Sequence, residues 1–146
     1  MLKQVMDLFE ILDDPQASGE AVKKLFEEHG FGDCVEVQTL ESQKGVTDFV
    51  RIIIKGTNGK LSGGTAPTLG VTGRLGGLGA RPELIGFVSD GDGALTALSA
   101  ALKLCLMKKK GDCLPGDVIV TTHVCPHAPT APHFPTPFMG SPVEME

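Results

Sequence analysis

The segment that most constrains the fold is a long apolar stretch from Ala94 to Met107. Its sequence, ALTALSAALKLCLM, places alanine and leucine on nearly every side of a helix instead of along one stripe. Such a helix has no face suited to water, so other elements must pack against it on several sides. We therefore predict that this helix is buried in the core, where Cys105 acts as a small apolar residue.

The elements around this helix predict a layered α/β fold. Two helices open the chain, the first ending at Pro15 and the second capped by Ser18 and stopped by Gly30. The run Lys108–Lys110 before Gly111 is typical of the end of a helix. Helices alternating with buried strands predict a mixed, mostly buried sheet flanked by helices. The strands are predicted at residues 34–38, 48–54, 68–72, 84–88 and 117–122.

The composition of the chain excludes several kinds of partner. The 146 residues carry a formal net charge of -5, whereas a nucleic-acid surface needs clustered lysine and arginine. No run of about 18 apolar residues is present, so we expect no membrane span. The N-terminal residues mix acids with apolar residues and do not resemble a signal peptide. Four cysteines without such a signal predict reduced thiols and a cytoplasmic protein.

The stretch GTNGK at residues 56–60 follows a predicted strand and has to be compared with a phosphate-binding loop. It fails the comparison because Leu61 stands where serine or threonine is needed, and because the glycines are too close together. The continuation LSGGTAPTLG also cannot start a helix that would hold an anion. We therefore expect no nucleotide cofactor. Asn58-Gly59 instead predicts a hairpin turn in which both residues have positive φ.

A glycine-rich segment follows at residues 63–79, with Arg74 inside it and Arg81 just beyond its end. Glycine lets the backbone approach either another backbone or a ligand closely. The segment could therefore serve for tight packing or could form a substrate-binding loop. The segment contains no acid, histidine or cysteine, so any binding role would fall to backbone amides or to the arginines. The candidate substrate-binding residues are Arg74, Gly76, Gly77 and Arg81.

The turn Ser89-Asp90-Gly91-Asp92-Gly93 joins a buried strand to the apolar helix. Ser89, Asp90 or Asp92 could cap that helix, which is a frequent task of these residue types. Alternatively, Asp90 or Asp92 could project into a cleft as a metal ligand or general base. Both loops that could carry chemistry leave the ends of strands, where open α/β sheets usually place their sites.

The second such loop is HVCPHAPTAPHFPTP at residues 123–137. Imidazole and thiolate are natural zinc ligands, and extended backbone would send His123, Cys125 and His127 to one side. Against a metal site, the spacing H-x-C-x-H-x5-H, which ends at His133, matches no common zinc motif, and the prolines break a regular strand. A catalytic Cys125 with a histidine base and a rigid polyproline-like surface segment are the alternatives. We expect residues 126–146 to form a proline-rich extended tail.

Several motifs together resemble a known family. They are GTNGK, SGG-x-APTLGV-x-GRLGGLGARPE-x-IG-x-VSD-x-DGA, LPGDVIV-x-THVCPHAPT and PFM-x-SPVEM. The chain is similar over essentially its whole length to a prokaryotic family, the domain-of-unknown-function family 1177. Members of that family are about twice as long, so the resemblance implies that residues 1–146 are one α/β domain or the N-terminal half of a larger one.

A weaker resemblance connects IGFVSDGDGALTALSAALKL with the dinuclear-zinc exopeptidases, and it implies their layered sandwich fold. In those enzymes an aspartate at the position of Asp90 bridges two metals, and the next strand ends in a catalytic glutamate pair near residues 123–126 here. The sequence departs from that pattern, because residues 70–77 lack the upstream His-x-Asp and no glutamate pair follows Thr122. The resemblance therefore implies the same scaffold with a rebuilt or absent metal site.

Our leading hypothesis is a hydrolase-like enzyme that acts on a small amino-acid or peptide-type amide, with a divalent metal such as zinc as a candidate cofactor. One alternative is the N-terminal subunit of a self-processing amidohydrolase, and another is a non-catalytic binding or assembly module. The expected partners are a small-molecule substrate, the protein's own C-terminal half and further copies of the chain. The candidate catalytic residues are Asp90, Asp92 and His123, and the candidate metal ligands are Asp90, His123 and His127.

Overall fold

The structure is a computed structural model, and it describes residues 1–73, 91–125, 128–135, 138–140 and 142–143. These residues form helices and strands in alternating groups, which confirms the predicted mixed α/β class. The predicted strand at residues 84–88 lies outside the described residues. The elements are α1 (Leu2–Leu12), α2 (Gly19–Glu28), β1 (Val35–Ser42), β2 (Gly45–Ile54), β3 (Leu69–Thr72), α3 (Gly91–Lys109), β4 (Val118–Val124), β5 (Thr130–Ala131) and β6 (Phe138–Met139).

The main described sheet has the strand order β1-β2-β4-β3. β1 and β2 form an antiparallel hairpin, and β2 pairs with β4 in the antiparallel sense, with Phe49 opposite His123. β3 pairs with β4 in the parallel sense, with Thr72 opposite Thr121. β4 is therefore an inner strand, and its register determines which residues of β2 and β3 become neighbours.

One face of this sheet forms the core with the helices. Alternate residues of β2 and β4, such as Ile52 and Val120, are buried and share a hydrophobic cluster with Leu98 and Leu102 of α3. α2 and α3 pack on the sheet, and α1 packs on α3. The opposite face carries polar side chains, including the ion pair between Arg51 and Glu36. The predicted burial of the apolar helix is confirmed.

The ends of the helices follow the sequence signals closely. The Oγ of Ser18 accepts a hydrogen bond from the Ala21 N–H at 3.1 Å, which confirms the predicted cap of α2. Gly30 has φ of 87°, and Phe31 donates to the Phe26 carbonyl at 2.8 Å, a closing pattern that needs glycine at the turn. Gly111 ends α3 with the same φ of 87°.

Cys105 behaves as predicted for a core residue, since it is only 1 % exposed within the apolar cluster. Burial, followed by the neighbouring Cys34, raises the pKa of the Cys105 thiol to about 12. The thiol is therefore neutral at physiological pH, and a reactive thiolate is not available at this position.

The prediction of a hairpin turn at Asn58-Gly59 is wrong. Gly59 has φ of -75° and precedes a single 3-10 turn at Lys60–Ser62. A Cβ atom added to Gly59 would lie 2.0 Å from Oδ1 of Asp117, so glycine is needed here for space and not for a positive φ. The chain from Gly56 onward folds around this buried carboxylate instead of turning back on itself.

The carboxylate of Asp117 is the centre of this loop. It is fully buried, and it accepts hydrogen bonds from the backbone N–H groups of Gly56 and Leu61, both at 2.9 Å. The loop therefore presents its amides to an acidic side chain of the same chain. The backbone carbonyl of Asp117 also accepts the N–H of Leu69 at 2.9 Å, which joins the start of β3 to the start of β4.

The backbone N–H of Leu61, followed by that of Gly56, holds the pKa of Asp117 below the ordinary aspartate value of 3.8. A depressed folded-state pKa means that the ionised carboxylate stabilises the fold at pH above the unfolded-state pKa. This contribution decreases as the pH falls through about 4 toward the folded-state pKa.

We predict that Asp117→Asn lowers the melting temperature at pH 7 by about 5–10 °C, because the amide cannot accept both N–H bonds and carries no charge. The matched control is Asp112→Asn at an exposed position, for which we expect a change of about 1 °C or less. The difference between wild type and Asp117→Asn should narrow below about pH 4. Equal effects of the two substitutions in thermal unfolding would contradict this role of Asp117.

Candidate functional site

The parallel pairing of β3 and β4 places their carboxyl ends at one edge of the sheet. Gly73 follows β3, and His123 lies near the end of β4. The first turn of α3 reaches the same edge, because a Cβ atom added to Gly73 would lie 2.2 Å from the carbonyl oxygen of Gly93. We call this place the carboxyl edge and define it as Gly73, Gly91–Gly93 and His123–Cys125.

Gly73 joins the parts of the carboxyl edge through its backbone. Its N–H donates to the Thr121 carbonyl, and its carbonyl accepts from the hydroxyl of Thr122, both at 2.9 Å. On its other side, an added Cβ would lie 2.7 Å from the Cβ of Ala97. A single glycine therefore separates β4 from the first turns of α3.

His123 projects from the face of the sheet opposite α3. The neighbouring residues Thr122 and Val124 are buried on the helix side, and alternation along β4 directs His123 to the other side. Its ring lies beside that of Phe49, with centroids 5.5 Å apart and planes tilted by 38°. The imidazole is partly exposed at this position.

Asp92 lies in the first turn of α3 and is exposed. It is inside the helix, so it is not the residue that caps it. Asp92 and His123 therefore lie at the same end of the sheet, but Asp92 belongs to the helix on one face and the side chain of His123 lies on the other face. The remaining candidates, namely Arg74, Gly76, Gly77, Arg81, Asp90 and His127, lie outside the described residues.

Cys125 is buried at the end of β4. The side chain is 1 % exposed, and its Sγ donates to the Val46 carbonyl at 3.3 Å. The thiol thus ties the end of β4 to the β1–β2 hairpin. Within the described ranges, no group of three or more histidine, cysteine, aspartate or glutamate side chains forms a metal-binding cluster, and the predicted ligands Asp90 and His127 are not in those ranges.

A pocket of about 290 Å³ opens next to the carboxyl edge, between the start of α2 and the start of β2. We call it the Val46 pocket. Sequence reasoning missed it, because its wall combines residues more than 100 positions apart in the chain, from Gln16 to Val124. It is lined by Gln16, Ala17, Ser18, Val46, Thr47, Asp48 and Val124.

Asp48 in this pocket connects three elements. Its carboxylate accepts the backbone N–H of Gly19 at 2.8 Å, at the start of α2, and the hydroxyl of Thr39 at 2.7 Å on β1. An acidic group suits the amino end of a helix, where N–H groups lack partners. Its position in the sequence, within a predicted strand, gives no signal of this role.

The described residues contain no helix that is both long and apolar enough to cross a membrane. In comparisons with known proteins, the model of a family described as "Protein of unknown function (DUF1177)" matches residues 38–146. No protein of curated function matches the chain. The matched residues run from β1 to the end of the chain and contain Gly73, His123 and the Asp117 loop.

We predict that Gly73→Ala lowers the free energy of unfolding by about 1–3 kcal/mol, because the new methyl group meets the Gly93 carbonyl and Ala97. Gly70→Ala on the same strand is the matched control, since an added Cβ there meets nothing within 4 Å. We expect this control to stay within about 1 kcal/mol of wild type. Urea unfolding measures both, and an equal loss in the two variants would show that the junction at Gly73 is not tight.

Proposed function

The chain belongs to the DUF1177 family, and we propose that it hydrolyses a small amino-acid or peptide-type amide at its carboxyl edge. The observation that carries this proposal is the junction at Gly73. The Thr122 hydroxyl donates to the carbonyl of this residue and the Gly93 carbonyl packs against it, so the end of β4 and the first turn of α3 lie side by side. Ligands of open α/β sheets bind at such an edge, beyond the carboxyl ends of the strands.

In this proposal, His123 transfers the proton. Amide hydrolysis needs a group that accepts a proton from water and returns one to the leaving amine, and imidazole does this near neutral pH. His123 is partly exposed at a strand end, and the ring of Phe49 lies 5.5 Å from it, which limits the orientations of the imidazole. A rigid strand holds such a group more accurately than a free loop does.

Asp90 and the first turn of α3 would supply the acidic part of the site. Asp92 is exposed in the first turn of α3 and can reach solvent at this edge. We propose Asp90 and Asp92 as the carboxylates that orient water or substrate. Arginine pairs with carboxylates in a two-pronged geometry, so an amino-acid substrate would suit guanidinium groups. The proposed substrate contacts are Arg74, Gly76, Gly77 and Arg81.

A divalent metal such as zinc is part of the proposal. Imidazole and carboxylate are the ligand types that catalytic zinc uses, so with zinc bound Asp90, His123 and His127 would be its ligands, and His123 would then hold the metal instead of transferring the proton. When bound, zinc lowers the pKa of the water that it holds. The finer fold assignment, a zinc-exopeptidase-like sandwich, likewise stays a proposal that rests on the sequence from the strand before Asp90 through α3.

The proposal predicts hydrolysis of at least one member of a panel of aminoacyl amides and dipeptides, with free amine measured by mass spectrometry. His123→Ala should lower kcat/KM by about 100-fold or more, because it removes the proton-transfer group. The matched control is His29→Ala. This residue caps the far end of α2, where its carbonyl accepts the Nζ of Lys109, and the substitution should leave the rate within about two-fold.

Metal content provides a second readout on the same three proteins. If the metal is bound as proposed, wild type and His29→Ala carry it at near one equivalent, and His123→Ala loses most of it. Equal trace amounts of metal in all three proteins would contradict metal binding. They would not contradict proton transfer by His123. Absence of turnover on the whole panel, combined with thermal stabilisation by one of its members, would favour a binding module.

A further inference from the structure

A groove lies between α1 and α2, on the helix side of the sheet. α1 packs mainly on α3, whereas α2 packs mainly on β1, so the two helices contact each other only slightly. The space between them measures about 540 Å³, and its lining comes from both helices and from the connection that joins them. We call this space the helix groove and define it by that lining.

The floor of the helix groove is apolar. Ile11 and Leu25 pack against the hydrophobic core but remain partly exposed, and Ala17 and Ala21 belong to the same lining. An apolar cavity of roughly 150 Å³ is enough to hold benzene, so the groove has room for about three side chains of that size. Apolar surface with a polar rim is typical of the places where proteins bind other proteins.

The rim of the helix groove is acidic on both sides. Its carboxylates are those of Asp7 and Glu10 on α1, Asp14 in the connection and Glu28 on α2. Lys24 adds one positive charge, which leaves this lining with a net formal charge of -3. The formal net charge of the whole chain is -5, so the groove is a strongly negative part of the surface. Such a surface attracts cationic partners and repels acidic ones.

Two of these carboxylates are available to a partner. Asp7 pairs with Lys3 at 3.2 Å, and the carboxylate of Asp14 accepts a backbone N–H two residues further on at 2.7 Å. Glu10 and Glu28 are exposed, and within the part of the chain that the structure describes they form no hydrogen bond or ion pair. One of them lies on each helix, so a segment bound between the helices would have a carboxylate along each of its edges.

An amphipathic helix with a basic polar face has the chemistry that fits this groove. Its apolar side chains at positions i, i+3, i+4 and i+7 form one face, which can enter an apolar groove. Lysine at the edges of that face lays its methylene groups on apolar surface and keeps its ammonium group at the rim. α1 and α2 have 11 and 10 residues, so each is about 15 Å long. A helix of about three turns therefore covers the groove.

We propose that the helix groove binds a basic amphipathic helix of a partner protein. The apolar face of that helix lies on Ile11 and Leu25, and its cations lie beside Glu10 and Glu28. This surface is on the helix side of the sheet, whereas the side chain of His123 lies on the opposite face. The proposal therefore goes beyond amide hydrolysis and does not depend on it.

Fluorescence anisotropy of a labelled peptide mixed with the full chain tests the proposal. The probe is a synthetic peptide of about 14 residues, with leucine at the spacing i, i+3, i+4, i+7 and lysine elsewhere. Wild type should bind it with a Kd of about 100 µM or lower at about 50 mM NaCl, and at least three-fold more weakly at about 500 mM. Two control peptides should bind at least ten-fold more weakly. One has glutamate in place of every lysine, and the other has the same composition in an order that destroys the apolar face.

Charge changes on the protein locate the binding site. Glu10→Lys combined with Glu28→Lys should raise the Kd of the basic peptide at least ten-fold, because attraction becomes repulsion on both sides of the groove. The matched control combines Glu41→Lys with Asp112→Lys, two exposed positions outside the lining that change the net charge equally, and it should stay within about two-fold of wild type. Lys24→Glu should lower the Kd, since it removes the positive charge of the lining.

Absence of binding by wild type at about 1 mM peptide overturns the proposal. Equal binding of the basic and the acidic peptide also overturns it, as do equal effects of the two double variants. Circular dichroism verifies that each variant is folded, and the comparison of peptides needs no variant at all. These readouts measure association only, so they are independent of whether the carboxyl edge hydrolyses an amide.

Discussion

The buried carboxylate of Asp117 is the interaction on which the rest of the sheet depends. It accepts N–H groups of Gly56 and Leu61, and the backbone carbonyl of the same residue accepts the N–H of Leu69. One residue thus joins the loop after β2, the start of β3 and the start of β4. Because β4 lies between β2 and β3, this anchor determines which face His123 occupies six residues later.

The two edges of the sheet therefore have different roles. At the edge of Asp117, the loop N–H groups donate to a carboxylate of the same chain, which stabilises the fold. These N–H groups are therefore not available to bind a ligand. At the carboxyl edge, Gly73 brings the loop after β4 and the first turn of α3 together, and the partly exposed His123 lies there. The proposed hydrolytic site uses this second edge.

Local features of the chain were predictable from the sequence because short-range forces determine them. The uniform apolarity of the segment that became α3, the cap at Ser18 and the glycines after α2 and α3 act within a few residues. Alternation and β-branched runs identified β2, β3 and β4 in the same way. Together these features were sufficient to give the α/β class, and the quoted motifs identified the family that the comparison confirms.

What the sequence determined by itself is thus the set of elements and their buried faces, because periodicity and capping are properties of neighbouring residues. Only the tertiary structure decided which distant residues come into contact. Gly59 makes room for a carboxylate 58 positions away, and Cys125 bonds to the Val46 carbonyl. Residues from Gln16 to Val124 enclose one pocket. Glycine looks the same in sequence at Gly70, where a side chain would meet open space, and at Gly73, where it would meet backbone. Only the packing of distant segments distinguishes them, since steric fit is a property of both surfaces.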